Sequence, residues 1–346
     1  MESKKYPMNK KLHILCATDD NYAQHCGVMI CSICQNHKDN NLCFHIIENE
    51  LSEESRSKIR KIINTYNQEI IYHRICPVYF SDFKLGNKTY TSPSVYYRLF
   101  VTRLITDSSI EKILYLDCDI VVLKDIAPLF NIDMSDYTIA AVRDINQPMY
   151  EEQAFQISFS YNDKYFNSGV LMINLINWRK NNIEKQLKEF CIKERKVFFP
   201  DQDALNKVFR GKWLELPPYW NRFNLVHYEK LYFKNKRDLL DYIYNPSLIH
   251  YASPTARPWM SLKYIPFANE YNFYLSQTPW KDSPKEHVTK YNRYKSMIQV
   301  RWANFLYRSP LLIRILITSI WDIMLFVFHI IKHKSLKYYL PYKIKS

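Results

Sequence analysis

The stretch ILYLDCDIVVL, residues 113–123, is an apolar run that contains two carboxylates, Asp117 and Asp119. Burying them among Ile, Leu and Val is unfavourable unless a partner compensates their charge. Side chains alternate along a strand, so Asp117 and Asp119 are expected to face one way and Cys118 the other. Two adjacent carboxylates repel unless a cation lies between them, and oxygen ligands favour Mg²⁺ or Mn²⁺. The stretch therefore predicts a strand that leads into a divalent metal site.

The spacing of these carboxylates is not specific by itself, because Asp201 and Asp203 repeat it. The alternative interpretation is a solvated strand end in which one carboxylate caps a turn. The context favours the metal site, since a buried strand that runs into paired acids suits a metal bound to a diphosphate. An added imidazole ligand would favour Mn²⁺ over Mg²⁺.

Strand-like and helix-like segments alternate around this stretch, which predicts an α/β fold with a mainly parallel central sheet. Strands are predicted at residues 11–18, 43–48, 69–76, 113–123, 138–144, 165–175 and 247–253. Helices are predicted at residues 28–37, 51–66, 94–105 and 202–210, the second with Ser52 as its N-cap. Asp19, Asp117 and Asp144 lie towards the carboxyl ends of three of these strands, where ligands of open α/β sheets bind. These polar side chains are therefore expected to converge on one edge of the sheet.

The composition excludes several classes of protein. With 47% hydrophobic and 16% aromatic residues over 346 positions, the chain can build a full-sized core. Only four glycines are present, which excludes a dinucleotide-binding G-x-G-x-x-G loop and a Walker phosphate loop. Most of the eight cysteines lie within apolar runs and are expected to be buried free thiols in a reducing compartment. The first apolar stretch is too short for a secretory signal, so a cytoplasmic protein is expected.

The basic character of the chain belongs to its C-terminal part. Of the net charge of +14, residues 281–346 contribute +10, from 13 Lys and Arg against three acidic residues. In LLIRILITSIWDIMLFVFHII, residues 311–331, the residues Arg314, Thr318 and Asp322 recur every four positions and form a polar stripe on a helix. Each charge would cost about 2.5 to 3.5 kcal/mol at the centre of a membrane. A helix lying in the membrane interface, with lysines against anionic lipid, is therefore preferred to a membrane span or a plain packed helix.

Six blocks of the sequence, in this order along the chain, resemble glycosyltransferase family 8. They are ATDDNY (17–22), YYRLF (96–100), ILYLDCDIVV (113–122), YFNSGVLMINLINWR (165–179), PDQDALN (200–206) and HYASPTARPW (250–259). Within the family the chain is most similar to bacterial lipopolysaccharide galactosyl- and glucosyltransferases. The resemblance implies a GT-A fold, a UDP-sugar donor, Mn²⁺ or Mg²⁺ as cofactor, and transfer with retention at the anomeric carbon.

The resemblance also implies roles for individual residues. Asp117, Asp119 and His250 match the metal ligands. The implied UDP-binding residues are Ala17, Thr18, Asp19, Asp20, Asn21, Tyr22, Asp117, Cys118, Asp119, His250, Ser253 and Arg257. The implied donor-sugar residues are Arg98, Asp144, Asn167, Asp201 and Gln202, of which Gln202, Asp201 and Asp144 are the candidate catalytic residues.

The loop after His250 departs from the family pattern. Ser253 replaces a usual Gly, and Arg257 replaces the Lys of Lys-Pro-Trp one position later than usual. An arginine can still bind phosphate, even through two parallel hydrogen bonds. The amide of Gln202 is a poor nucleophile, so front-face attack assisted by the departing phosphate is preferred to double displacement through Asp201 or Asp144.

The function implied by the resemblance is transfer of glucose or galactose from a UDP-sugar to a saccharide acceptor, a lipopolysaccharide core. Residues 11–280 would form the GT-A catalytic domain and residues 281–346 a helical, membrane-associating tail at the cytoplasmic face of the inner membrane. The expected partners are UDP-glucose or UDP-galactose, an oligosaccharide or glycolipid acceptor and an anionic membrane surface, but not nucleic acid. The alternatives are transfer to a capsule or glycoprotein, a non-catalytic UDP-sugar-binding protein, and a nucleic-acid-binding protein that uses the basic tail.

Overall fold

The elements of the fold come from a computed structural model. It describes residues 10–39, 41–83, 93–144, 163–193, 197, 199–224, 236–254, 256–263, 265–289, 293–294, 296–298, 300–302, 305, 309, 313 and 316. Within these residues the strands are β1 (Leu12–Thr18), β2 (Leu42–Glu48), β3 (Glu69–Arg74), β4 (Lys112–Leu116), β5 (Ile120–Val122), β6 (Ile139–Arg143), β7 (Phe166–Asn174), β8 (Leu214–Glu215), β9 (Arg222–Phe223) and β10 (Leu248–His250).

The α-helices among the same residues are α1 (Ala23–Asn36), α2 (Glu53–Thr65), α3 (Val101–Leu104), α4 (Ala127–Phe130), α5 (Leu175–Lys180), α6 (Ile183–Lys193), α7 (Pro200–Val208), α8 (Lys236–Tyr244) and α9 (Ala268–Leu275). Short 3-10 helices cover Pro77–Phe80, Pro93–Phe100 and Pro218–Trp220. The helix predicted at 94–105 is present, as a 3-10 helix over Pro93–Phe100 and an α-helix over Val101–Leu104. Tyr96, Tyr97, Leu99 and Phe100 of the 3-10 helix are all buried.

Seven strands form the central sheet in the order β3-β2-β1-β4-β7-β6-β8. Strands β1 to β4 pair in parallel, and β7 is antiparallel to both of its neighbours, β4 and β6. Six of the seven strands thus run in the same direction, which confirms the mainly parallel sheet that the sequence predicts. The carboxyl ends of β1, β4 and β6 consequently lie on one edge of the sheet, as the polar clusters at those ends require.

The single strand predicted at 113–123 is wrong. β4 ends at Leu116, the chain turns at residues 117–119, and β5 enters a second sheet in the order β5-β10-β9. The antiparallel register sets His250 of β10 opposite Ile120, and the N–H of Tyr251 donates to the carbonyl of Asp119 at 2.8 Å. The turn places the two carboxylates where both sheets meet, and there the cations Arg98 and Arg257 and the imidazole of His250 compensate their charge.

Apolar layers cover both faces of the central sheet. Alternate residues of one strand reach opposite layers: Ile14 and Cys16 of β1 pack with α1 and α2, and Leu15 packs with the aromatic residues of the 3-10 helix at 93–100. At the start of α2, the side chain of Ser52 accepts a hydrogen bond from the N–H of Ser55 at 3.2 Å, which confirms the predicted N-cap. The two layers hold the strand ends in fixed positions.

The C-terminal part of the chain is described only in pieces. Val300 is buried against Ala256 and Ile265, beside the loop that follows His250. In the described portion of the chain, no helix has both the length and the apolar character needed to cross a bilayer. Of residues 311–331 only Ile313 and Leu316 are described, so the predicted interfacial helix lies outside the described residues.

Gly27 of α1 allows Trp280 to pack closely against the helix. A Cβ at this position would lie 2.5 Å from Cζ3 of Trp280 and 3.2 Å from Cδ1 of Ile62. Helix propensity alone predicts that Gly27→Ala stabilises α1 by about 1 kcal/mol. We expect instead a loss of about 1 to 3 kcal/mol from overpacking, measured by urea denaturation. Adding Trp280→Leu should recover part of that loss, and strictly additive effects in the double variant would contradict the contact.

Candidate functional site

Two carboxylates and one imidazole meet where the two sheets join. Asp117 and Asp119 lie in the turn after β4, and His250 is the last residue of β10. The Nε2 atom of His250 lies 3.2 Å from Oδ1 of Asp119 and 3.8 Å from Oδ2 of Asp117. One ligand atom from each of the three residues lies within 4.8 Å of the other two. We call Asp117, Asp119 and His250 the metal cluster, because two oxygens and one nitrogen at this spacing suit a divalent cation such as Mn²⁺.

Gly169 of β7 gives the metal cluster the room it needs. A Cβ at this position would lie 2.4 Å from Cε1 of His250 and 2.7 Å from Oδ2 of Asp117. The N–H of Asp117 donates to the carbonyl of Gly169 at 2.9 Å, so the backbone of β7 passes directly beside the cluster. Only a residue without a side chain allows this approach.

Charge shapes the protonation of the metal cluster. Burial pushes the pKa of Asp119 upward, but His250 and Arg257 outweigh that effect, so this pKa lies well below its usual value. Burial lowers the pKa of His250, but the carboxylate of Asp119 raises this pKa by more than burial lowers it, so the net shift is upward. The cluster thus presents an ionised carboxylate beside an imidazole whose charge depends on that carboxylate.

Arg98 joins the metal cluster to a second polar group. Its Nη2 lies 2.8 Å from Oδ1 of Asp117, and its Nε lies 3.1 Å from Oδ2 of Asp201. Its guanidinium lies over the ring of Tyr115, 4.7 Å from the ring centroid, and the Tyr115 hydroxyl donates to Oδ1 of Asp117 at 2.9 Å. Burial lowers the pKa of Arg98, but Asp117 and Asp201 raise it above its ordinary value, so the arginine stays charged.

The second polar group contains Asp144, Asn167, Ser168, Asp201 and Gln202, and we call it the sugar group because the sequence resemblance predicts that four of these residues bind the donor sugar. Oε1 of Gln202 accepts hydrogen bonds from Nδ2 of Asn167 at 3.0 Å and from the N–H of Ser168 at 2.9 Å. The Ser168 hydroxyl donates to Oδ2 of Asp201 at 3.1 Å, and Nε2 of Gln202 donates to Oδ2 of Asp144 at 3.3 Å. Burial raises the pKa of Asp201, although Arg98 opposes this shift.

The side chain of Asn206 fixes helix α7 against β7 through two hydrogen bonds to the backbone of Phe166. Oδ1 of Asn206 accepts from the N–H of Phe166, and Nδ2 of Asn206 donates to the Phe166 carbonyl, both at 2.8 Å. Asp203, the last residue of the second D-x-D pattern, accepts from the Tyr165 hydroxyl at 2.6 Å and from the N–H of Phe199 at 3.1 Å. Asp203 therefore anchors the start of α7, and this D-x-D does not form a site with Asp201.

The end of β1 reaches the metal cluster through Arg257. Nη1 of Arg257 donates to the Tyr22 hydroxyl at 2.8 Å, and its Nη2 lies 3.8 Å from Oδ2 of Asp119. Its Nε is buried and has no hydrogen-bond partner among the residues that the structure describes, which leaves a donor for an anionic group. The Cys118 thiol donates to the carbonyl of Ala17 at 3.2 Å, so Cys118 faces away from its two neighbours, although a turn rather than a strand produces this arrangement.

The structure brings most of the sequence-predicted residues together, but Asp20 differs. Its carboxylate accepts from the N–H and the hydroxyl of Ser52, so it supports the start of α2. Asn21 is exposed and Ser253 is half-buried, and their nucleotide-binding roles stay predictions. Sequence reasoning missed Asn221, whose Oδ1 lies 2.9 Å from Nδ1 of His250. The parallel pairing of β9 with β10 brings these two residues together, and no spacing in the sequence signals it.

Comparison with known proteins agrees with this geometry. The sequence pattern described as "Glycosyl transferase family 8" matches residues 13–263. A lipopolysaccharide 1,2-glucosyltransferase of Escherichia coli (strain K12) is 31% identical over 83% of this chain and 85% of its own length. General stress protein A of Bacillus subtilis (strain 168) is 30% identical over 78% of this chain and 94% of its own length.

A solved structure supports the fold. The crystal structure of the galactosyltransferase LgtC in complex with donor and acceptor sugar analogues is similar to this chain with a TM-score of 0.69 and 27% identity. The similarity covers 82% of this chain and all of that one, 100%. The α/β architecture with a mainly parallel sheet is thus of the GT-A type.

Gly169→Ala tests whether the close approach of β7 shapes the metal cluster. The added methyl group would displace His250 or Asp117, so we expect Mn²⁺ to bind at least about tenfold more weakly, measured by isothermal titration calorimetry. The control is Gly211→Ala, where the φ of 68° strains the backbone but no atom lies within 4 Å of the new Cβ. This control should lose stability and keep its affinity for Mn²⁺. Unchanged binding by Gly169→Ala would show that the cluster does not hold the cation.

Proposed function

The chain belongs to glycosyltransferase family 8, and on this basis we propose that it is a retaining, metal-dependent hexosyltransferase. It moves glucose or galactose from a UDP-sugar to a saccharide acceptor, the core of lipopolysaccharide. The observation that carries the proposal is the direct link through Arg98 between the metal cluster and the sugar group. A relative named lipopolysaccharide 1,2-glucosyltransferase and a similar structure bound to donor and acceptor sugar analogues support the substrate class.

Asp117, Asp119 and His250 would hold the cation, Mn²⁺ or Mg²⁺, and its charge would offset the negative charge that develops on a leaving diphosphate. Arg257 binds the same diphosphate, since it is cationic, lies beside Asp119 and has an unpaired buried Nε. The uridine lies at the carboxyl end of β1, against Ala17, Thr18, Asp19, Asn21, Tyr22, Cys118 and Ser253, whereas the carboxylate of Asp20 is bonded to Ser52.

The contacts of the sugar group favour front-face attack. Oε1 of Gln202 already accepts from Asn167 and Ser168, so it serves to orient a substrate rather than to attack its anomeric carbon. Oδ2 of Asp201 is engaged by Arg98 and by the Ser168 hydroxyl, which reduces its availability as a nucleophile. Asp144 and Asp201 would orient sugar hydroxyls while the departing phosphate takes the proton of the acceptor. Double displacement through either carboxylate is the competing mechanism.

The rest of the proposal concerns the acceptor substrate and the binding of the enzyme to a membrane. Residues 11–280 act as the catalytic domain, and the helix at 311–331 holds the enzyme on the anionic cytoplasmic face of the inner membrane, where a glycolipid acceptor is exposed. If the protein is an enzyme, the alternative is transfer to a capsule or glycoprotein acceptor. If it is not an enzyme, the alternative is a protein that binds a UDP-sugar without turnover.

Substitution of a cluster carboxylate tests the proposed activity. With a panel of UDP-sugars and Mn²⁺, the wild-type protein should release UDP from one donor, and Asp119→Ala should reduce that rate by about a hundredfold or more. The matched control is Asp203→Asn, which alters the second D-x-D; its amide oxygen can still accept from the N–H of Phe199, and its Nδ2 can donate to the Tyr165 hydroxyl once that hydroxyl rotates. The control should retain UDP release within about threefold. If the wild-type protein binds UDP with Mn²⁺ but releases none from any donor or acceptor mixture, the non-catalytic alternative holds.

Removal of the tail tests the membrane proposal. A chain that ends at residue 310 keeps Val300, which packs against Ala256 and Ile265, so the site should remain intact. We expect this chain to leave vesicles that contain anionic lipid while it still hydrolyses the UDP-sugar, as measured by co-sedimentation and by UDP release. Continued binding of the shortened chain to the vesicles would contradict the role of residues 311–331.

A further inference from the structure

We infer that Asn221 is a positioning residue for His250. It makes Nε2 of the imidazole the nitrogen that faces a cation, and it acts through a series of amide hydrogen bonds that ends at Asp144. The inference rests on the proposed metal site. Nδ1 of His250 lies 2.9 Å from Oδ1 of Asn221, and Nδ2 of Asn221 donates to Oδ1 of Asn167 at 2.8 Å. Nδ2 of Asn167 donates to Gln202 at 3.0 Å, and Gln202 donates to Asp144 at 3.3 Å. We call Asn221, Asn167 and Gln202 the amide relay.

Two backbone N–H groups fix the direction of the amide relay. The N–H of Gly169 donates to Oδ1 of Asn167 at 3.0 Å, and the N–H of Ser168 donates to Oε1 of Gln202 at 2.9 Å. A backbone N–H can only donate, so the atoms that face these two groups must be oxygens. If either side-chain amide were turned over, two N–H groups would oppose each other. Nε2 of Gln202 faces Oδ2 of Asp144 at 3.3 Å, which agrees with the same direction at the far end of the relay.

The direction of the relay determines which nitrogen of His250 carries a hydrogen. Because Oδ1 of Asn167 must accept, the atom of Asn221 that contacts it is Nδ2, and Oδ1 of Asn221 is left to face the imidazole. That oxygen requires a hydrogen on Nδ1 of His250. In the neutral ring, Nε2 is therefore the nitrogen that can offer a lone pair, and it is the one that faces Asp117 and Asp119.

Burial makes this control effective. His250 and Asn221 are each only 3% exposed, so bulk water does not compete for the hydrogen on Nδ1. Without Asn221 the ring could instead keep its hydrogen on Nε2, which lies 3.2 Å from Oδ1 of Asp119. That hydrogen bond would hinder binding of a cation to the metal cluster, because the cation could bind Nε2 only after it displaced the hydrogen. The relay also connects the metal cluster with Gln202 and Asp144 of the sugar group.

Binding of Mn²⁺ without any sugar nucleotide, measured by calorimetry, separates the relay from catalysis. Asn221→Leu removes the acceptor at similar volume, and we expect it to weaken Mn²⁺ binding by about 10- to 100-fold. Asn221→Asp keeps an acceptor for Nδ1 although it loses the donor to Oδ1 of Asn167, so we expect it to lose less affinity for Mn²⁺ than Asn221→Leu does. Asn224→Leu is the matched control, because Asn224 is also buried and its side chain donates to the carbonyl of Ala256 rather than contacting His250.

Nitrogen-15 NMR of histidine-labelled, metal-free protein at alkaline pH reads the position of the ring hydrogen directly. The His250 signal is assigned by comparison with His250→Gln. We expect the hydrogen on Nδ1 in wild type and Asn221→Asp, and on Nε2 in at least part of Asn221→Leu. If Asn221→Leu does not fold, Asn167→Leu, which frees the amide of Asn221 to turn over, should show the same change to a smaller degree.

The outcomes distinguish the relay from the proposed function. If Asn221→Leu keeps both the wild-type affinity for Mn²⁺ and the hydrogen on Nδ1, the role of Asn221 is wrong. Equal loss of affinity in Asn224→Leu would also overturn it, since general packing would then explain the effect. Failure of wild type to bind Mn²⁺ would contradict the proposed function, and the NMR measurement, which needs no metal, would still decide the tautomer.

Discussion

The carboxylates of Asp117 and Asp119 cannot remain inside an apolar sheet, and the arrangement of the site follows from that constraint. The chain leaves the central sheet after Leu116, turns, and resumes as β5 in a second sheet. The pairing of β5 with β10 then delivers His250 to the turn. The two carboxylates, the junction of the sheets and the imidazole thus meet at one place in the fold, where the carboxylates find the partners that their burial requires.

Arginines stabilise the acidic residues that this junction collects. Arg98 contacts Asp117 on one side and Asp201 on the other, and Arg257 lies near Asp119. Because the side chain of Arg98 is only 13% exposed, salt screens its interactions with both carboxylates less than it screens surface ion pairs. The same residue fixes the separation between the part of the site that suits a cation and the part that suits a sugar. If positive charge were spread evenly along the chain, it would not produce this pairing of single arginines with particular carboxylates.

Much of the fold could be predicted from the sequence. The alternating segments predicted the parallel sheet, and most strand positions agree within one or two residues, because apolar periodicity reports which faces are buried. The break at residues 117–119 could not be predicted from periodicity, since the apolar residues on both sides read as one strand. Gly169 was part of a recognised block, but its close contact with His250 and Asp117 depends on a distance between strands. Nothing in the sequence around Asn221 indicated that this residue contacts His250.

The sequence by itself determined the family, the α/β class and the residue types that meet at the strand ends, because these depend on local pattern and on the order of short motifs. The tertiary structure alone decided how those residues pair: which arginine joins which carboxylates, that Asp203 anchors a helix, that Asp20 supports α2, and that amides link His250 to Asp144. The physical reason is that hydrogen bonds and ion pairs act over about 3 Å. Contacts of such short range between distant segments exist only after strand register and layer packing are fixed.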